Sequence, residues 1–295
     1  MSHRLDSRWT PVWFLAPAVI ALFAIGIFPT LYALWNSLHQ VILPKIPREG
    51  TPFVGLGNYL SVLTDPTFWD ALGRTLVFLA IVLPAELLLG LGVALLLHKP
   101  GLPLLKTLAR LSLVIPMATT YAVVGLIGRL IFNRDFGVVN WFLGLVGIGP
   151  VEWLGDPSWA FVSIALMDIW QWTPFCALVL LAGLTMVPPE IEEAARLETK
   201  RFRHILRHVQ LPFLLPGITA VLILRTADTL KLFDMIFTMT RGGPGAATEL
   251  ISITIQRIGF RVFDQGIASA QAILLLVLTI VLSRMYIRLV YQEVE

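Results

Sequence analysis

The sequence predicts an all-α, polytopic membrane protein of about six transmembrane helices, on three observations. Of its 295 residues, 57% are hydrophobic and only 14% charged, and mean hydropathy is +0.79. A soluble domain cannot clothe its surface with so few charges. Apolar runs of roughly 20 residues, the length that crosses hydrocarbon, recur along the chain. Polar connectors rich in Lys and Arg separate them.

Spans are expected near 11–38, 75–98, 107–132, 157–187, 212–238 and 265–291, with a connector over 188–211 and no division into domains. The first run is too long and too aromatic for a cleaved signal peptide, so it is read as a retained span. Tyr59, Leu60, Leu63, Phe68, Trp69 and Leu72 recur at near-helical spacing, as in a helix lying in the membrane interface over 53–75. Pro84, Pro116 and Pro174 fall inside spans, where a missing amide and a ring clash bend a helix. Trp141, Trp153 and Trp159 are assigned to the aromatic belt. The turn TRGGPG, residues 240–245, lacks the Gly-Lys-Ser/Thr ending of a phosphate loop and reads as a structural turn. Cys176 stands alone inside a span and is read as a small packing residue.

An even number of spans puts both termini on one side. Arg4, Arg8, Lys99, Lys106, Arg110, the connector, Arg284 and Arg288 all fall on that side, which the positive-inside bias makes cytoplasmic. The net charge of +3 serves orientation and contact with membrane lipid; no nucleic-acid motif accompanies it.

Within the connector, Arg196, Lys200, Arg201, Arg203 and Arg207 would each cost roughly 2.5 to 3.5 kcal/mol at a helix centre, so the segment lies in water. Pro188 and Pro189 stop the preceding span, and Glu190, Glu192 and Glu193 favour the positive end of a new helix. Phe202, Ile205, Leu206 and Val209 follow as an apolar stripe opposite Arg201, Arg203, Arg207 and His208. Such an amphipathic helix needs a membrane surface or a protein partner. Pro212 and Pro216 are expected to restart the chain into the fifth span. His204 and His208 have metal-ligand spacing without a third ligand, so no metal site is assigned.

Two sets of polar residues lie inside spans. Asp168, Gln171, Trp172 and Phe175 share one helix face, where a carboxylate, an amide and two rings suit a hydroxyl-rich ligand. Arg225, Asp228, Lys231 and Asp234 recur every third residue with alternating sign, and neighbouring members are expected to pair. Arg225, Asp228 and Thr229 share a face and are placed on a solute path; the near-zero charge sum favours a neutral solute over a phosphate ester. Glu86, a lone carboxylate beside Pro84, is satisfied by a proton or a neighbouring helix and is not placed in the site.

The connector resembles the EAA loop of binding-protein-dependent ABC importer permeases. Glu193, Ala194 and Ala195 match its opening, and Val209, Leu211 and Pro212 match its hydrophobic-x-Leu-Pro ending; Thr199 stands where the family usually has Gly. FVGLGNY with the following DPTFWDAL, and TRGGPGAATE, are similar to the carbohydrate-type permeases of that family, as is RTADTLKLFD, whose counterparts lie at the solute pathway. The resemblance implies a type I importer fold with Glu193, Ala194, Ala195, Arg196, Thr199, Phe202, Ile205 and Leu206 coupling to an ATPase. It also implies a second similar permease, two cytoplasmic ATPase subunits, an extracytoplasmic solute-binding protein, a small carbohydrate as solute and a bacterial inner membrane. ATP and Mg would then sit on the ATPase partners, with no cofactor on this chain, which lacks a phosphate loop of its own. An alternative is a stand-alone, ion-coupled secondary transporter using the charge ladder as its relay. An intramembrane hydrolase would need an HExxH, GxSxG or comparable arrangement that the sequence does not offer.

Overall fold

The computed structural model describes residues 10–99 and 101–291; Arg4 and Arg8, used above for orientation, lie outside them. In chain order the helices are α1 (Thr10–Leu22), α2 (Phe28–Ser37), α3 (Ile46–Glu49), α4 (Gly57–Thr64), α5 (Pro66–His98), α6 (Pro103–Ala118), α7 (Tyr121–Ile131) and α8 (Val138–Leu145). They continue as α9 (Pro157–Thr185), α10 (Pro189–Glu198), α11 (Phe202–Ile205), α12 (Leu211–Leu230), α13 (Asp234–Met239), α14 (Ile251–Arg257) and α15 (Gln265–Tyr291). Extended backbone pairs only at two isolated bridges among the described residues, His39 with Phe53 and Ile42 with Asp264. Five helical segments are long and apolar enough to cross a bilayer, and a sixth exists if α6 and α7 are one span bent by 98°.

Four expectations change here. The second span starts at Pro66, so residues 66–75 belong to the long α5, and the helix before it is only the eight-residue α4. The third span is broken, not merely bent: Thr119 and Thr120 are extended (ψ 135° and 148°) three residues after Pro116. Pro212 does not restart the chain, because the helix runs through from Phe202 to Leu230. A π turn over Leu206–Gln210 makes this possible. Leu211 N–H reaches back to the Leu206 carbonyl, one residue farther than in an α-helix, which gives the ring of Pro212 room. The fifth span also ends at Leu230 instead of near 238, with α13 following after a turn. The same device precedes Pro29, where Phe28 N–H bonds to the Phe23 carbonyl.

Contacts divide the chain into two units. One holds the chain up to Phe68 with Ile255–Val277. Here the buried Asn58 donates to the carbonyls of Ser37 (2.9 Å) and His39 (2.8 Å), and the hydroxyls of Ser37 and Tyr59 meet at 2.7 Å. Gln265 N–H bonds to the Val41 carbonyl at 2.8 Å. A Cβ at Gly266 would lie 2.6 Å from the His39 carbonyl, so only glycine lets these segments approach. The Asn and Tyr of the FVGLGNY motif thus hold the loop after the first span.

The other unit holds Trp69–Thr254 with the chain from Leu278. Phe78, Val82, Val124, Ile164, Met235, Ile236 and Leu250 form its main core, and Ala94, Leu180, Leu184 and Leu214 form a second cluster. Small residues set the helix spacing. A Cβ at Gly90 would lie 2.6 Å from Cys176 Cβ, and one at Gly125 would lie 2.8 Å from the Met235 carbonyl, so α5 meets α9 and α7 meets α13 at backbone distance. Cys176 is therefore a packing residue under Gly90.

Trp153 departs from the aromatic-belt assignment. Its indole donates to Asn140 Oδ1 at 2.8 Å, and its ring packs on Phe132 and Trp159. Asn140 also bonds to Arg134 and Val151, so the polar end of Trp153 is tied to protein. Trp141 is 60% exposed. In the turn over 240–245, Gly242 and Gly245 take φ of 91° and 60°, and the Thr240 and Thr248 hydroxyls meet at 2.6 Å.

Candidate functional site

Three helices converge on one guanidinium. Arg225 of α12 donates through Nε to Glu86 Oε2 (2.8 Å) and through Nη2 to Glu86 Oε1 (2.7 Å), a bidentate pair with α5. The same Nη2 donates to Asp168 Oδ2 of α9 at 2.8 Å. All three side chains are fully buried. Uncompensated charges at this depth would be prohibitive, and the fork geometry of Arg with two carboxylates is what makes burial tolerable.

The charge ladder is thereby corrected. Arg225 pairs across to other helices, because three helices bury it together. The ladder residue Asp228 pairs with Lys231 at 3.0 Å. α12 ends at Leu230, so Lys231 lies in the turn and Asp234 opens α13. Glu86, set aside on sequence, proves to be Arg225's main partner. Its only signal was a carboxylate standing inside a long apolar run.

Around the triad lie rings and unsatisfied polar atoms. The Arg225 guanidinium sits 4.6 Å from the centre of the Trp172 ring. Tyr121 and Phe175 flank that indole, each with ring centroids 5.9 Å away. Arg225 Nη1, Asp168 Oδ1, Gln171 Oε1, Trp172 Nε1, Thr229 Oγ1 and Tyr121 Oη are all buried without a hydrogen-bond partner. Gln171 Nε2 is occupied, donating to the Thr119 carbonyl at 2.9 Å. That carbonyl is one the break between α6 and α7 sets free, so Gln171 both secures the break and leaves its own oxygen uncommitted. Of the seven residues predicted for this site, Asp168, Trp172, Phe175 and Arg225 are linked by direct contacts. Gln171 and Thr229 lie buried one turn from them, and Asp228 stands partly exposed in its pair with Lys231.

A second site is the connector. Pro188 is extended and Pro189 opens α10, with Glu190 and Glu192 in its first turn. Glu192 is the hub: its Oε1 accepts from Arg196 (2.7 Å) and Gln210 (3.2 Å), while its Oε2 lies 3.5 Å from His98 at the end of α5. Burial alone would raise its pKa, but the hydrogen bonds from Arg196 and His98 outweigh it and hold the carboxyl below its ordinary range. Thr199 needs no glycine-like backbone. It is extended (φ −144°), and its hydroxyl accepts from Arg201 N–H at 3.2 Å. Of the apolar stripe, Ile205 is buried, Leu206 and Val209 are half-buried, and Phe202 is 54% exposed. Glu193, Ala194 and Arg196 are exposed, as is Leu197 at 91%, an outward apolar side chain that the stripe did not include.

Comparison with known proteins places this geometry. Residues 54–292 match the family model described as binding-protein-dependent transport system inner membrane component. The chain is 36% identical over 276 residues to the trehalose/maltose transport system permease protein MalF of Thermococcus litoralis, covering 93% of this chain and 91% of that one. It is 34% identical over 287 residues to the sulfoquinovosyl glycerol transport system permease protein SmoG of Agrobacterium fabrum, covering 97% and 92%. Its fold is similar to a chain of the bacterial alginate ABC transporter solved with an alginate pentasaccharide-bound periplasmic protein. The TM-score there is 0.81 at 19% identity, covering 96% of this chain and 94% of that one. With its apolar helices, its EAA connector and a match over most of its length, this chain belongs to the binding-protein-dependent transport system inner membrane components, the permease subunits of ABC importers.

Proposed function

We propose that the solute is a small neutral carbohydrate and that it contacts Asp168, Gln171, Trp172, Phe175, Arg225, Asp228 and Thr229 during passage. One observation carries this reading: six buried polar atoms lack partners on residues of α7, α9 and α12 that meet at Arg225 and Trp172 or lie one turn from them. Both donors and acceptors are among them, the combination that a ring bearing several hydroxyls satisfies, while its C–H faces pack on Trp172 and Phe175. The guanidinium is already matched by two carboxylates, which disfavours an anionic solute. The sugar-permease names of the relatives support the same class.

In this reading the chain works by alternating access beside a second similar permease. Two cytoplasmic ATPase subunits bind ATP and Mg and grip the connector through Glu193, Ala194, Ala195, Arg196, Thr199, Phe202, Ile205 and Leu206. An extracytoplasmic binding protein delivers the solute, and both termini face the cytoplasm of a bacterial inner membrane. Exposed Leu197 and Phe202, side by side with exposed charges, support a protein partner there.

Uptake of radiolabelled trehalose and maltose by cells carrying the intact system tests both parts. Trp172→Ala or Asp228→Ala should lower uptake at least about tenfold with assembly intact, whereas Glu193→Arg should abolish uptake and release the ATPase. Normal uptake by the site variants would refute the solute path. Uptake that persists without any ATPase would instead favour an ion-coupled carrier.

A further inference from the structure

Between the last turn of α5 and the connector lies a cavity of about 370 Å³. His98, Lys99, Arg196 and Lys200 line it around a single carboxylate, Glu192. Lys99, Arg196 and Lys200 outweigh that carboxylate even with His98 neutral. Glu192 is already engaged by Arg196, Gln210 and His98, whereas no ion pair holds Lys99 or Lys200 among the described residues.

Gln210 makes the cavity more than a patch of positive charge. It is 4% exposed, lines the cavity and donates its amide to Glu192 at 3.2 Å. That bond fixes the amide's orientation, since the flipped form would set oxygen against carboxylate. Its oxygen is therefore the free end, and it is buried without a donor. Leu95, Phe202 and Ile205 supply apolar wall. His98 is the last residue of the apolar α5, and the apolar α12 begins just beyond Gln210. The cavity thus lies at the ends of two helical segments long and apolar enough to cross a bilayer, a placement that on this reading sets it beside lipid phosphates.

We propose that this cavity binds the headgroup of an anionic glycerophospholipid of the phosphatidylglycerol type. The phosphodiester lies against Lys99, Lys200 and the uncommitted edge of Arg196. The terminal glycerol hydroxyl donates to Gln210 Oε1, and the ester end of the lipid runs along Leu95. A free phosphate would leave the apolar wall unused. A choline headgroup has no N–H or O–H to offer Gln210, and its net charge of zero leaves the lysines uncompensated. The bound lipid would link the end of α5 to the connector through which an ATPase acts.

The test is native mass spectrometry of the purified full-length chain, titrated with phosphatidylglycerol and phosphatidylcholine of identical acyl chains. Phosphatidylglycerol should bind about thirtyfold more tightly. The double variant Lys99→Ala/Lys200→Ala, at two exposed positions, should bring the two lipids to within about threefold, with thermal stability in phosphatidylcholine unchanged. Gln210→Met should reduce the preference further if it folds; the lysine pair decides the matter if it does not. Equal retention of both lipids by the native chain, or an undiminished preference in the lysine variant, would overturn the proposal. Displacement of the lipid by millimolar inorganic phosphate would overturn it in favour of a soluble-anion site.

Discussion

Arg225 turns its guanidinium to Glu86, 139 positions earlier in the chain, and not to Asp228 one turn along its own helix. The pair is bidentate and fully buried, so each side chain is the condition for burying the other. Glu86→Ala is expected to destabilise the chain by about 3–5 kcal/mol, because Arg225 keeps only Asp168 as a counter-charge. Glu86→Met with Arg225→Met and Asp168→Asn should recover most of that loss, since no buried charge is then left unpaired. Unfolding titrations in detergent would measure both. A triple variant as unstable as the single one would mean that the buried charges are not the source of the effect.

Hydrocarbon imposes length and apolarity on every span, so the long apolar runs could be read from the sequence. The start of the second span, the break in the third and the end of the fifth could not. The connector could be read because five basic residues cannot enter lipid, and because Pro188–Pro189 mark a helix start. What could not be read depends on contacts distant in sequence. Glu86 looked isolated because its partner lies in another helix. The break at Thr119 and Thr120 is stabilised by Gln171, 52 residues away, whose amide serves the Thr119 carbonyl. Pro212 looked like a stop because a π turn, which accommodates its ring, has no sequence signature. Trp153 looked like a belt residue because its partner Asn140 lies 13 residues away in α8.

Gln171→Leu tests the break directly. The Thr119 carbonyl would lose the side-chain donor that Gln171 supplies, at an expected cost of about 1–3 kcal/mol. Thermal unfolding of the purified chain checks the magnitude. Because leucine matches glutamine in size, a loss well below that range would show that the carbonyl finds another donor.

Two glycines of α5 should respond oppositely to the same substitution. A Cβ at Gly90 would stand 2.6 Å from Cys176 Cβ and 3.0 Å from the Ala177 nitrogen, so Gly90→Ala must push α5 and α9 apart. The expected loss is about 1–3 kcal/mol. At Gly92 nothing lies within 4 Å of the same position, and Gly92→Ala should stabilise the helix by about 0.5–1 kcal/mol. Paired melting curves decide the matter, and two changes of the same sign would contradict the packing described.

The connector should loosen in acid through Glu192. Its carboxyl is held below its ordinary value of 4.5, so as pH falls an unfolded or detached loop takes up the proton first. The stabilisation is complete above about pH 5 and disappears as pH drops through the lowered value. A spin label at Leu197→Cys, an outward position 91% exposed, would report connector mobility without touching the hub. Mobility is expected to rise on acidification below about pH 5. In Glu192→Gln it should be high throughout and flat. A rise of equal size in that variant would assign the transition to another carboxylate.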